Sequence, residues 1–480
     1  MRALLVCALA LALAACGGGE DGPPGGGSTL RATLGDPDGD GTLSRGPAEP
    51  LADRTDLAPA ARPGRELATV AQLTDPHVRD EESPARVPFI DRFGAPVESA
   101  FRPQEALSGQ VLAAAVRALN AERPQAVVVT GDILDNAQRN ELAQARAIFD
   151  GGVARPDSGR PGYRGVQEGA NPDPLYYRPD QDAPRHPGLL AAAQRPFRAP
   201  GLAAPWHAVL GNHDVLRQGE LAPSARTDAV ATGGRLTTTL DRDFRLPPIP
   251  DREDAEAAVD TLLDAGIPGR SIDVPGDPAR VALRDEELVA ALGRGRAVRA
   301  PDRLDYAFDA GPRLRGIVLD TANRAGGARG AVSAEQVAWL RAQLRDAGAR
   351  DVIVFSHNRL DGVTGGEAAV AALAGSRRVL ANVSGHVHRN RIEARPTAAG
   401  GYWTIETSSL ADFPMQSRML RVRETAGGGR VLETWMVDHD GAGLAGVARD
   451  LAFLDAQGGR PQRYAGARRD RNVRLFLPAR

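Results

Sequence analysis

Five short stretches of this 480-residue chain carry side chains that bind cations or move protons. They are Asp75-Pro76-His77, Gly131-Asp132 with Asp135-Asn136 just beyond, Gly211-Asn212-His213-Asp214, Ser356-His357-Asn358, and Gly385-His386-Val387-His388. Carboxylate oxygens and imidazoles suit Mn, Fe or Zn, and the lack of thiolates beside them argues against a structural zinc or iron–sulfur site. Taken singly the pieces say little, since an Asp-x-His is usually a surface turn and a Gly-Asp after a strand is usually a cap or turn. His386 and His388 say more: alternate residues of an extended segment send both rings to one side. Five of the eight histidines fall in these stretches, which leaves His186, His207 and His439 as surface or satisfied-core residues.

Ligands this far apart in sequence need a frame that brings them together. Leu67–Leu73 is an apolar run, Ser108–Leu119 has an amphipathic helical pattern, and Ala126–Thr130 is a second buried strand. Together they make a β-α-β unit, hence parallel strands with a right-handed crossover. Further strands are expected at Trp206–Leu210, Leu314–Leu319, Val352–Phe355 and Val379–Ser384. Between the second and third of these, Ser333 and Gln336 form a capping box for a helix reaching Ala347. Each ligand stretch follows one of these strands, and the carboxyl ends of parallel strands line one crevice. Beyond Gly400 the texture turns all-β, at Tyr402–Thr407, Met419–Arg423, Val431–Val437 and Val473–Leu477, and residues after about Gly427 are expected to complete a second sheet. The segments 151–200 and 217–303 read as insertions between core strands, the second with helices at Asp251–Ala265 and Asp285–Leu292.

A net charge of −2 with 25% charged and 42% hydrophobic residues describes an ordinary globular protein with no overall basic surface, so no nucleic-acid partner is expected. All 59 basic residues are arginine, which we read as nucleotide bias. Arg2, the apolar run Ala3–Ala15 and Leu13-Ala14-Ala15-Cys16 resemble the leader and lipobox of bacterial lipoproteins, in which Cys16 is acylated. That implies an exported protein held at the membrane by a lipid on Cys16, or shed from it. It leaves no cysteine pair for a disulfide, because Cys7 is removed with the leader. The Gly/Pro/Asp-rich stretch 17–65 reads as a flexible tether. Within it Asp36, Asp38, Asp40 and Gly41 imitate the start of a calcium loop, but Pro47 stands where such a loop needs a bidentate Glu.

In this order the five stretches, D-x-H, G-D-x-x-D-N, G-N-H-D, a lone strand-end His and G-H-x-H, resemble the calcineurin-like metallophosphoesterases from Asp75 to His388. Asp320-Thr321, Gln336 with Trp339-Leu340, and Ser409–Pro414 look like a secreted actinobacterial-type branch. The resemblance implies an α/β fold, a four-layer α/β/β/α sandwich of two facing mixed sheets with helices outside, over residues 66–480. It implies two divalent metal ions (Mn, Fe or Zn), one held by Asp75, His77, Asp132 and His388, the other by Asp132, Asn212, His357 and His386. His213 would be the general acid, with Asp214 orienting its ring. The implied reaction is hydrolysis of a phosphomonoester or phosphodiester by a hydroxide bridging the two metals. The substrate would be a small-molecule, lipid or nucleotide phosphate ester. Asn136 and Arg139 are candidate substrate contacts, and Arg79, Arg217, Arg359 and Arg389 also lie near the motifs. Protein serine/threonine phosphatases of the superfamily carry Arg at the position of Asn136 and Glu at that of Asp214, so the resemblance does not extend to their substrates. The alternative, a non-catalytic metal-binding surface protein, predicts a damaged ligand or acid, and the motifs are intact.

Overall fold

The computed structural model describes residues 26–86, 101–241, 243–244, 266, 268–457 and 464–479. The expected apolar runs become strands β1 (Pro63–Leu73), β2 (Ala126–Thr130) and β3 (Trp206–Val209), with helices α1 (Ser108–Glu122) and α2 (Arg139–Phe149) between the first two and after the second. Then follow β4 (Tyr306–Asp309), β5 (Leu314–Val318), α3 (Ala334–Asp346), β6 (Asp351–Phe355), α4 (Gly366–Ala374), β7 (Val379–Ser384), β8 (Arg391–Arg395), β9 (Tyr402–Glu406), β10 (Gln416–Thr425), β11 (Arg430–Asp438), α5 (Leu444–Gln457) and β12 (Val473–Leu477).

These strands form two sheets. The larger runs Ala52–Arg54, β12, β11, β10, β1, β2, β3, with β1, β2 and β3 parallel and β10 antiparallel to β1. The smaller runs β4, β5, β6, β7, β9, β8, with β5, β6, β7 and β9 parallel. Side-chain alternation in β6 shows how the layers form. Ile353 and Phe355 belong to the core between the sheets, whereas Val352 and Val354 pack outward with Val337, Leu340 and Leu344 of α3 and Leu373 of α4. Helix α3 starts where its sequence says it should: Ser333 Oγ accepts from Gln336 N, and Gln336 Oε1 accepts from Ser333 N. Leu340 of α3 is fully buried, and its truncation to Ala would cost about 2–5 kcal/mol. On the far side, Val111, Leu112, Val116 and Leu119 of α1 join the core of the larger sheet. The result is the expected arrangement of two facing mixed sheets with helices outside. Between the sheets Gln72 ties both halves: its Nε2 donates to Thr130 Oγ1 (2.8 Å) and Ser384 O (3.0 Å), and its Oε1 accepts from Thr407 Oγ1 (2.7 Å).

Three expectations need correction. The stretch read as a tether is packed from Gly27 on: Gly27–Ser28 pairs with β11, Ala52–Arg54 pairs with β12, and Thr29 bonds Asn472. Its composition is poor in apolar residues, but main-chain pairing at existing strands needs none. The residues after Gly427 return to the larger sheet, because β10 aligns antiparallel to β1 and carries β11 and β12 with it. The C-terminal part is also not all-β, since α5 lies between β11 and β12, burying Ala448, Leu451 and Ala452 at helical spacing. In the insertions, Gly152–Ala154 pairs with Phe197–Ala199, Arg235–Leu240 pairs with Gly269–Asp273, and a helix covers Asp285–Gly293. The helix expected at Asp251–Ala265 lies outside the described residues, as do the leader and Cys16. Among the described residues no helix is long and apolar enough to cross a membrane.

Candidate metal centre

All five stretches follow parallel strands and meet at one seam between the sheets. The turn after β1 presents Asp75 and His77, the turn after β2 presents Asp132 and Asp135, and the short helix Asn212–Val215 follows β3. From the smaller sheet come His357 after β6, and His386 and His388 after β7. The loops that carry them have no room to spare. Gly131 has φ +95°, and a Cβ there would lie 2.5 Å from His357 Nδ1; one on Gly385 would lie 2.0 Å from Thr74 Oγ1 and 2.5 Å from Asp75 Oδ2.

Asp75, His77, Asp132 and His388 place one ligand atom each within 4.8 Å of one another, and Asp132, His357 and His386 do the same. Asp132 is common to both groups. His77 Nε2 lies 3.2 Å from His388 Nε2, His357 Nε2 lies 3.2 Å from both Asp132 Oδ2 and His386 Nδ1, and Asn212 Oδ1 is 3.1 Å from His357 Nε2. These are lone-pair atoms crowded together in a buried place, Asp75 and His357 being wholly inaccessible.

The opposite nitrogen of three rings is anchored. His77 Nδ1 donates to Asp135 Oδ1 (3.1 Å), His357 Nδ1 to Thr130 O (2.8 Å) and His388 Nδ1 to Asp412 Oδ2. Each bond puts the ring proton on Nδ1 and turns the Nε2 lone pair into the cluster, the tautomer a cation requires. Asn212 is fixed in the same sense, because Nδ2 donates to Gly219 O (3.0 Å) and leaves Oδ1 for the cluster.

The charges agree. Burial opposes ionising Asp132, yet His357, His213 and His77 hold its carboxyl well below the usual range. Burial likewise disfavours charge on His357 and His388, but Asp132 with Asp75 pushes the first up to about 10, and Asp75 with Asp412 pushes the second up to about 9. His77 and His386 are instead pushed down to about 4 by burial and by neighbouring imidazoles. With protein atoms alone, the cluster keeps protons on two rings to balance its carboxylates. Cations would take the place of those protons, so the donor set fits divalent metals.

His213 stands at the edge of the cluster with its side chain 22% exposed, its ring 4.5 Å from that of His77. Its Nδ1 donates to the main-chain oxygen of Asp135 (2.9 Å) and lies 3.6 Å from the Asp135 carboxylate. The residue expected to orient this ring, Asp214, is otherwise engaged: it accepts from Gly211 N (2.8 Å) and Leu134 N (2.9 Å) and so locks the loop. Burial beside Asp132 pushes Asp214 up to about 7. The two candidate substrate contacts are also spent elsewhere. Asn136 is fully buried, its Oδ1 accepting from Gln218 N, and the Arg139 guanidinium pairs with Glu287 at 2.6 Å. Closeness to a motif in sequence does not say which way the loop turns next, and here it turns into α2.

Asp135 and Asp412 are the functional residues whose parts sequence alone did not assign. Asp135 sits inside the second motif, but its carboxylate's bond to His77 depends on side-chain direction and its main-chain oxygen's bond to His213 on the turn of the loop. Asp412 lies 24 residues past His388, held by Arg102 and Ser409 Oγ (3.0 Å), and nothing local in the sequence links it to a ligand.

A model of the calcineurin-like phosphoesterase family matches residues 68–390. No curated protein matches. Among solved structures, a dimetal phosphatase from Danio rerio is 15% identical at a TM-score of 0.39, covering 78% of this chain and 97% of that one. A purple acid phosphatase from yellow lupin (Lupinus luteus) seeds is 11% identical at 0.33, covering 78% and 52%. The family match spans all five ligand stretches: this chain belongs to the calcineurin-like phosphoesterase family and is a metallophosphoesterase, its His/Asp cluster suited to the two divalent cations that family uses.

Proposed function

We propose that the protein hydrolyses a small phosphomonoester or phosphodiester outside the cytoplasmic membrane, attached through a lipid on Cys16. Asp75, His77, Asp132 and His388 would hold one cation and Asp132, Asn212, His357 and His386 the other, with Asp132 shared. A pair of cations supplies an acidified water at neutral pH and polarises the phosphoryl oxygens. The protein's own groups do the rest. Asp135, Thr130 O and Asp412 keep three imidazoles in the ligating tautomer, so no reorganisation is needed when substrate arrives. Asp135 O holds the Nδ1 proton of His213, which leaves Nε2 as the atom through which this ring would pass a proton to a departing alkoxide.

The observation that supports this reading best is the convergence of seven ligand side chains with three remote nitrogens already anchored. The test is hydrolysis of p-nitrophenyl phosphate and bis-p-nitrophenyl phosphate by the full chain with Mn or with EDTA, beside His213→Ala. Turnover should need metal, and the variant should lose about 10²–10⁴-fold in kcat while keeping its metal content. A folded, two-metal protein inert on both esters would favour the non-catalytic alternative. Export is checked separately: membrane fractions should contain the acylated chain, and Cys16→Ser should release it.

A further inference from the structure

Five arginines lie next to the ligand loops, and the structure separates one from the rest. Arg79 pairs with Glu105 and Asp135, Arg139 with Glu287, Arg217 with Asp228, and Arg359 with Asp361 (2.7 Å), Glu393 (2.9 Å) and Glu406 (3.1 Å). Arg389, the residue after ligand His388, is exposed and has no carboxylate or hydrogen-bond partner among the described residues.

It lines a groove of 960 Å³ that runs beside the last ligand loop, with none of the seven ligands among its walls. One end is Val387, between the two ligands of the last motif and one of two large apolar side chains exposed among the described residues. Beside it stands Tyr464, whose ring meets that of His388 edge-on at 5.9 Å. The other cations of the groove are compensated: Arg391 by Glu393, Arg54 and Arg469 by Asp56. Glu406 and Asp470 also line the groove, so its four arginines face four carboxylates, but Arg389 is the arginine there without an ion-pair partner among the described residues, a few atoms along the chain from a ligand, in a space far larger than one phosphate group. An unpaired guanidinium prefers a planar or multidentate oxyanion.

We propose that this groove is a specificity subsite for the part of the substrate beyond the reacting phosphorus, and that Arg389 selects esters carrying a second anionic group, phosphate or carboxylate. Val387 and Tyr464 form the apolar wall against which the intervening carbon chain lies. This rests on the hydrolase reading above, and the test separates the two.

Phosphate release by the Mn-loaded full chain is measured on glycerol 3-phosphate, on 3-phosphoglycerate, which replaces its terminal alcohol carbon by a carboxylate, and on 1,3-propanediol bisphosphate. The doubly anionic esters should have the lower KM. Arg389→Ala should raise that KM about tenfold, the worth of one charge-assisted hydrogen-bonded pair, and leave kcat and the glycerol 3-phosphate constants within about twofold. Arg389→Lys should recover part of the loss. An equal change on all three esters, or none on any, would overturn the subsite. Should the wild-type chain hydrolyse nothing, the hydrolase reading fails while the groove is still judged by calorimetry with 1,3-propanediol bisphosphate: binding weakened about tenfold by Arg389→Ala supports it, and unchanged binding rejects it.

Discussion

At the seam between the sheets Asp75, His77, Asp132 and His388 bring ligand atoms within 4.8 Å of one another, and by the same measure so do Asp36, Asp38 and Asp40 near the N-terminus. The two places differ in what has already claimed the oxygens. Asp36 Oδ1 accepts from Gly39 N (2.8 Å) and Asp40 N (3.1 Å), its Oδ2 accepts from Gly41 N (3.0 Å), and Asp38 and Asp40 are exposed. Those carboxylates fold a turn. At the seam, protein groups occupy the outward atoms of three rings and leave the inward atoms to meet only one another, buried where crowded lone pairs are costly without a cation. Proximity of acidic groups is thus a poor sign of a metal site unless the remaining lone pairs have nothing else to do.

The contrast can be attacked in order of expected effect. Asp132→Asn removes the carboxylate common to both ligand groups and should abolish turnover, by more than about 10³-fold, with metal content by mass spectrometry falling from two towards none. Two retained metals would show that the carboxylate is not shared. Asp412→Asn leaves every ligand in place but weakens the hold on the His388 Nδ1 proton and takes the charge partner from Arg102, so metal affinity or activity should drop about 10–100-fold. An unchanged affinity would mean that the anchoring of the rings contributes nothing.

Histidines buried without a carboxylate sharpen the same point. His207 stacks on Phe308 with centroids 3.6 Å apart, and burial with Arg296 and Arg294 nearby pushes it down to about 3. Its folded pKa lies below the unfolded value of 6.5, so the unfolded chain binds the extra proton, and stability falls as pH drops from 6.5 towards 3. Urea unfolding of the metal-free protein should show this loss at up to about 1.4 kcal/mol per pH unit, and the His207→Phe variant should lack that share of the slope. The smallest effect belongs to Asp36→Asn, which should leave metal content and turnover unchanged. A third bound cation lost in this variant would place a real site at the acidic turn.

How far the sequence could be read follows from the same physics. The strands of the core are apolar runs, and their burial needs no knowledge of partners, so β2 and β7 lie where the hydrophobic pattern puts them. The ligands were legible because they sit at strand ends, where topology forces convergence. Asp412 was not, since its partner His388 is reached only after the chain has crossed β8 and β9. Nor was the packing of Gly27–Ser28, whose stabilisation comes from main-chain bonds to β11 that side-chain types do not announce. Arg389 was visible as one arginine among 59; only the pairing of its neighbours distinguishes it.

The backbone at the seam carries one more consequence. Asp75, His77, Asp132, His386 and His388 all have positive φ, between 44° and 71°. Each such residue costs of order 1 kcal/mol relative to a relaxed conformation, and glycine would occupy these angles without strain. Glycine there would shed the strain only by giving up the buried bonds that Asp75, His77, Asp132 and His388 make, so the bent backbone is held by those side chains and by the cations they would share. The centre is thus a spring kept wound by its own ligands, and stripping the metals should loosen the seam before the rest of the fold.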